Sequence, residues 1–133
     1  MGDLHPQLVA DTVPISKMQL CDVLLMKDAN YPWLVLVPRR EDVREIHLLS
    51  AADQQRLMRE ISHVATRLEA LTGAYKMNVA ALGNIVPQLH VHIIARFEDD
   101  AAWPGPVWGM VPATPYEGDA LEAVVEKLKR ALI

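Results

Sequence analysis

The sequence predicts an α+β fold: an antiparallel sheet with one long helix packed on one face and a second helix at the C-terminal end. Three observations carry this. Short apolar runs at 21–28, 33–38, 74–82 and 86–97 are bounded by turn residues, as strands are. A stretch beginning at Ser50 carries apolar residues at helical spacing, and so does a shorter one beginning near Asp119. At 133 residues the chain is expected to form one domain over 1–133, long enough to bury a core.

The elements follow in order. Residues 1 to 20 are mixed, with Pro6 and Pro14 interrupting any long element. CDVLLMKD reads as a strand, and the turn-like DANYP leads into a second, WLVLVP. That second run is apolar on both faces, which places it centrally, covered on each side. Ser50 is a natural N-cap with Asp53 three residues on, and Leu57, Ile61, Val64, Leu68 and Leu71 form one stripe. Gly73 stands where a C-cap glycine belongs. AYKMNVAAL and VPQLHVHIIARF then read as two strands joined by the turn-prone Gly83-Asn84. The Pro-, Trp- and Gly-rich segment 99–118 reads as one long loop, a length usually tied to function or to a partner. The last helix, about 119–132, should bury Leu121, Val124, Val125, Leu128 and Leu132.

Composition narrows the function classes. A net charge of −4 and pI near 5.7 argue against a nucleic-acid backbone binder. The lone Cys21 has no partner for an intramolecular disulfide, so a reducing cytoplasm is the simplest compartment. No signal peptide, myristoylation signal or apolar run long enough for a membrane span is visible.

The stretch QLHVHIIAR holds the chemistry. If 86–97 is a strand, Leu89, Val91 and Ile93 share the core face, while Gln88, His90, His92 and Ile94 share the other. Successive nitrogen-bearing side chains would stand roughly 6–7 Å apart. Three readings are open. The histidines are ordinary residues of a solvated face; they are half of a zinc or iron site, which needs further ligands; or one is a nucleophile. Against a metal, His5, His47 and His63 stand alone, His63 reads as a surface residue, and no HExxH or CxxC is present.

GNIVPQLHVHII resembles the signature of the histidine triad (HIT) superfamily, in which three alternating histidines follow a glycine-amide pair. Here Gly83-Asn84 stands for the pair, and Gln88, His90 and His92 occupy the three triad positions, each followed by an apolar residue. YPWLVLVP is similar to the family's apolar strand ending in proline, KMNVAALGN to the strand leading into the triad, and WPGPVWG to a tail of some members. The resemblance spans roughly 22–110 and implies a HIT-like sheet and helix.

It also implies roles. His90 matches the histidine that attacks the α-phosphorus of a nucleotide derivative, giving a nucleotidyl-histidine that water hydrolyses. The substrate would be of phosphoramidate or dinucleoside polyphosphate type. A free imidazole has a pKa of ~6.5, so near neutrality much of it carries a lone pair. His92 and Asn84 match phosphate-binding positions, Asn78 an amide near the sugar-phosphate, and Asp28 the residue that holds the ribose hydroxyls. Gln88 replaces the first histidine, and Trp33 stands where many relatives carry a fourth. Glutamine cannot titrate, so turnover survives if the first histidine serves through its backbone carbonyl and falls if its ring relays protons. The resemblance further implies a purine nucleotide ligand and a homodimer with Trp103 and Trp108 near its seam. No resident cofactor is implied, although Mg²⁺ can accompany a polyphosphate. A nucleotide-binding module without turnover is the alternative, and a metal-binding protein a third.

Overall fold

The computed structural model describes residues 3–133. Five strands form one antiparallel sheet: β1 (Thr12–Lys17), β2 (Cys21–Met26), β3 (Trp33–Pro38), β4 (Lys76–Ala80) and β5 (Val91–Arg96), in the order β1-β2-β3-β5-β4. Three α-helices accompany them: α1 (Pro6–Asp11), α2 (Ala51–Thr72) and α3 (Ala120–Ala131). The predicted α+β architecture is therefore present. In the N-terminal 20 residues, α1 and β1 stand where the prolines pointed to no long element. Pro6 opens α1, where its missing N–H costs nothing, and Pro14 lies on the edge strand β1 beside a register shift.

The strand β3 explains the two-sided architecture. All six of its residues are buried. Leu34 and Leu36 point into a core shared with Leu57, Ile61, Val64 and Leu68 of α2. Trp33, Val35 and Val37 point the other way, into a second cluster with Leu8 of α1, Val86, Ile94, Ala102 and Val107. One face is thus closed by helix, and the opposite face by α1 and loops. That second face carries the histidines.

The caps of α2 form as the sequence indicates. Ser50 Oγ accepts the Asp53 N–H at 3.1 Å, and Gly73, at φ 69°, passes its N–H to the Glu69 carbonyl. Leu71 departs from the expected stripe and is exposed, because the stripe drifts off the sheet in the last turn. Glu60, buried on α2, accepts the backbone N–H groups of Leu20 and Cys21, each at 2.9 Å, and so fastens the helix to the β1–β2 turn. Of the α3 stripe, Leu128 is buried, while Leu121, Val124, Val125 and Leu132 pack partly buried against the same core. His63 is half-buried rather than superficial, with Nε2 3.4 Å from the Leu132 carbonyl.

Residues 81–90 depart from the expected strand-turn-strand path. β4 and β5 do pair, but no tight Gly83-Asn84 hairpin joins them; a ten-residue loop, 81–90, does. β5 begins only at Val91, so Gln88 and His90 precede the strand instead of alternating along it. Likewise β2 ends at Met26 instead of Asp28, and β4 is shorter at both ends than 74–82. The loop holds its course through buried Val86 and through Gly83, whose φ is 73° and where a Cβ would lie 3.3 Å from the Val86 carbonyl oxygen. Segment 99–118 is a loop, as expected, with neither helix nor strand.

Candidate active site

The sheet register sets the site. His92 lies opposite Val35 on one side and Ala80 on the other, and Ile94 lies opposite Trp33. Side chains directly opposed share a face, so Trp33 is the diagonal neighbour of His92, within reach of a long ring. Its Nε1–H donates to His92 Nδ1 at 2.9 Å. Trp108, from the long loop, closes the other side, its ring 5.1 Å from that of His92 and nearly perpendicular to it. His92 is 4% exposed.

His90 stands beside it, the two ring centroids 4.9 Å apart. Its Nδ1 is 2.7 Å from the carbonyl oxygen of Gln88. Each bond fixes a proton. A carbonyl only accepts, so His90 Nδ1 carries the hydrogen and its Nε2 presents the lone pair when the ring is neutral. An indole N–H only donates, so His92 Nδ1 is the acceptor and its Nε2 carries the hydrogen. The pair therefore offers one nucleophilic nitrogen and one hydrogen-bond donor. Gln88 supplies its backbone to His90 and spends its side chain elsewhere: Oε1 accepts the His5 N–H at 2.7 Å, and Nε2 donates to the Asp3 carbonyl at 3.2 Å. The first triad position thus ties the N-terminal segment to the loop before β5.

Burial, with a smaller contribution from neighbouring His90, pushes the His92 pKa down from 6.5 to about 4. In the unfolded chain the ring titrates near the ordinary ~6.5. Between those values the unfolded state binds the extra proton, so stability falls as pH drops through 6.5 towards 4. The protein is expected to be roughly 2 kcal/mol less stable at pH 5 than at pH 7.5 on account of this ring. Denaturant midpoints of wild type and His92→Gln at both pH values check this; the variant should lose less stability on acidification. Equal losses in the two proteins would contradict it.

A cleft of about 600 Å³ is lined by Trp33 and Trp108, the two rings that flank His92, together with Ala10, Asp11, Asp28 and Tyr116. Asp28 is buried in its wall, and its Oδ1 accepts the backbone N–H groups of Asn30 and Thr114 at 3.0 and 3.1 Å. The carboxylate therefore also pins the far end of the long loop to the β2–β3 turn. Asn78 lies on the histidine face of β4, opposite Ile94, but its Oδ1 accepts from Arg96 Nη1 at 2.7 Å. Asn84 is exposed on the loop before β5. The structure thus brings His90, His92 and the Gln88 carbonyl together and places Asp28 in the neighbouring cleft. It ties Asn78 into another network and leaves Asn84 at the surface. Among the described residues, no group of three or more His, Cys, Asp or Glu is gathered as metal ligands would be.

Two participants were not visible as such in the sequence. Trp33 showed there only as a substituted histidine, and its donor role depends on the β3–β5 register. Arg96 gave no signal at all. It is 1% exposed, grips Asp100 with two bonds of 2.8 and 3.1 Å, reaches Asn78 and the Gly105 carbonyl, and lies between the Tyr31 and Trp103 rings. This network anchors the loop that delivers Trp108.

A model of the HIT domain matches residues 7–99, well over half of the chain. The chain belongs to the HIT family. Solved histidine triad proteins resemble this HIT chain over almost its whole length. One from Bradyrhizobium japonicum is 49% identical, with 98% of each chain covered and a TM-score of 0.96. One from Marinobacter aquaeolei VT8 is 50% identical, covering 98% of this chain and 95% of its own, with a TM-score of 0.95. A third, from Sinorhizobium meliloti 1021, is 45% identical, with 98% and 96% covered and a TM-score of 0.94. Comparison with curated proteins gives no match. HIT proteins are nucleotide binders and generally hydrolases or transferases, and the five-stranded antiparallel sheet with its helices is the HIT fold. Among the described residues, no helix of this HIT protein is long and apolar enough to cross a membrane.

Proposed function

We propose that this HIT protein is a nucleotide hydrolase or transferase that acts at the α-phosphate of a phosphoramidate or dinucleoside polyphosphate. The observation that carries the reading is the 2.7 Å bond from His90 Nδ1 to the Gln88 carbonyl, which leaves Nε2 as the free nucleophilic nitrogen. In the first step the Nε2 lone pair forms a P–N bond while the bond to the leaving group breaks, and the leaving group takes that electron pair and a proton from solvent. In the second, water attacks phosphorus, the P–N bond breaks, its electrons return to Nε2, and the nucleoside monophosphate departs with a proton released. His92 Nε2–H meets the charge on the phosphoryl oxygens in both steps. Asn84 joins it from the loop once substrate is bound, and Asn78 stands behind the sugar-phosphate through its amide nitrogen.

The nucleoside part fits the adjoining cleft, whose volume of about 600 Å³ lies in the range of small-molecule sites. There Asp28 would accept from the ribose hydroxyls, and the tryptophans offer apolar faces to a purine. No resident cofactor is required by this chemistry; Mg²⁺ would arrive as part of a polyphosphate substrate.

The second reading is a nucleotide-binding module without turnover, favoured by Gln88 and Trp33, neither of which relays protons. Incubation with adenosine 5′-phosphoramidate separates the two. Steady release of AMP is expected; AMP bound without any release would support the binding module and contradict the enzyme.

We also read the chain as a homodimer. β4 is an edge strand, and Val79 on it and Leu82 and Ile85 just beyond it are exposed, Ile85 to 90%. Trp103 packs on exposed Tyr75 just before that edge, at 5.5 Å, whereas Trp108 belongs to the site. Light scattering should give twice the monomer mass, falling to one in Val79→Lys/Ile85→Lys; a monomeric wild type would contradict this.

A further inference from the structure

We propose that Trp33 is a positioning residue, whose indole N–H holds His92 in the one tautomer that can donate to the phosphate under attack. The proposal rests on the reading of His90 as nucleophile and adds a role outside the triad itself.

A neutral imidazole has two tautomers, and a partner at one nitrogen selects between them. A histidine at position 33 could donate or accept and so would leave the choice open. An indole cannot accept through nitrogen. Its N–H, 2.9 Å from His92 Nδ1, occupies that lone pair and sends the proton to Nε2. Were the proton on Nδ1, Nε2 would turn a lone pair towards phosphoryl oxygens that already carry negative charge, and a donor would become a repulsive contact.

The surroundings make the choice hard to undo. His92 is buried between Trp33 and Trp108, with ring centroids 5.7 and 5.1 Å away. A flip of its ring would strand a buried indole N–H. The backbone beneath is equally constrained, since β3 and β5 pair at the interior of the sheet and every residue of both strands is buried. The same indole stands in the wall of the adjoining cleft. One side chain thus orders the donor and shapes the neighbouring site.

The test replaces the N–H and keeps the shape. In the full-length protein, Trp33→Phe and a sulfur isostere at position 33, β-(3-benzothienyl)alanine, are compared with wild type by ¹⁵N spectroscopy of the His92 ring and by AMP release from adenosine 5′-phosphoramidate. Wild type should show the Nε2–H tautomer alone. Both replacements should admit the Nδ1–H form and lower kcat by about 10- to 100-fold; the isostere, which keeps the cleft wall, should change KM by less than about threefold. The isostere guards against a cavity effect, because it fills the same volume. Unchanged kcat and tautomer in the isostere, with wild type active, would overturn the role of Trp33 alone. A wild type without turnover, its His92 still Nε2–H, would sink the reading of His90 and with it the service Trp33 performs.

Discussion

Replacing His90 by alanine should lower AMP release from adenosine 5′-phosphoramidate by about 10³-fold or more, while AMP binding changes by only a few-fold. The asymmetry follows from what the ring contributes. In the proposed mechanism His90 supplies the nitrogen that forms the intermediate, so its loss would remove the pathway and not merely one favourable contact. The same proposal holds the nucleoside mostly elsewhere, in the cleft walled by Asp28, Trp33 and Trp108. Steady-state kinetics with calorimetric AMP binding checks both halves. Turnover retained within tenfold would remove His90 from the mechanism.

The second large effect concerns stability. Arg96→Met should destabilise the protein by about 3–5 kcal/mol, since it leaves the buried Asp100 carboxylate without its cation. Burial would raise the Asp100 pKa, but the Arg96 guanidinium and the backbone N–H groups of Phe97, Ala102 and Trp103 outweigh it and hold the pKa at about 2. That carboxylate folds the start of the long loop around itself, at distances of 2.8 to 3.1 Å. The same substitution strips the Asn78 Oδ1 and the Gly105 carbonyl of their donor. Because the loop also carries Trp108, which closes over His92, part of the damage should reach the site. Denaturant unfolding gives the magnitude. A loss below 1 kcal/mol would contradict the view of Arg96 as the loop's anchor, and Asp100→Asn, which keeps a neutral acceptor, should cost less.

The two faces of β3 were legible in the sequence because WLVLVP is apolar at every position, and α2 was legible from Ser50, Gly73 and the stripe between them. What the residues could not reveal was distance. Whether Gln88 continued the strand depended on ten residues, 81–90, whose course is set by the positive φ of Gly83 and the burial of Val86 in a cluster built from remote segments. Strict strand alternation would put three side chains on one face, whereas Gln88 turns to Asp3 and His5. The sequence leaves open whether Gln88 serves through its backbone or its side chain; in the structure the carbonyl bonds His90 Nδ1. Asn78 had the right face for a site residue, but the sequence contained nothing to show that Arg96, eighteen residues later, would take its oxygen. Partnerships of this kind arise from register, and register is a property of pairs of strands. The proton on His92 is the sharpest example, since it is fixed by a tryptophan fifty-nine positions away.

A covalent nucleotidyl intermediate on His90 would leave its mark in the stereochemical course at phosphorus. A chiral substrate carrying sulfur in place of one α-phosphate oxygen is hydrolysed in isotopically labelled water, and the configuration of the product is determined. Two successive in-line displacements, first by His90 Nε2 and then by water, give net retention. Inversion would mean that water attacks the substrate directly, and that the nitrogen held free by the Gln88 carbonyl is not the nucleophile.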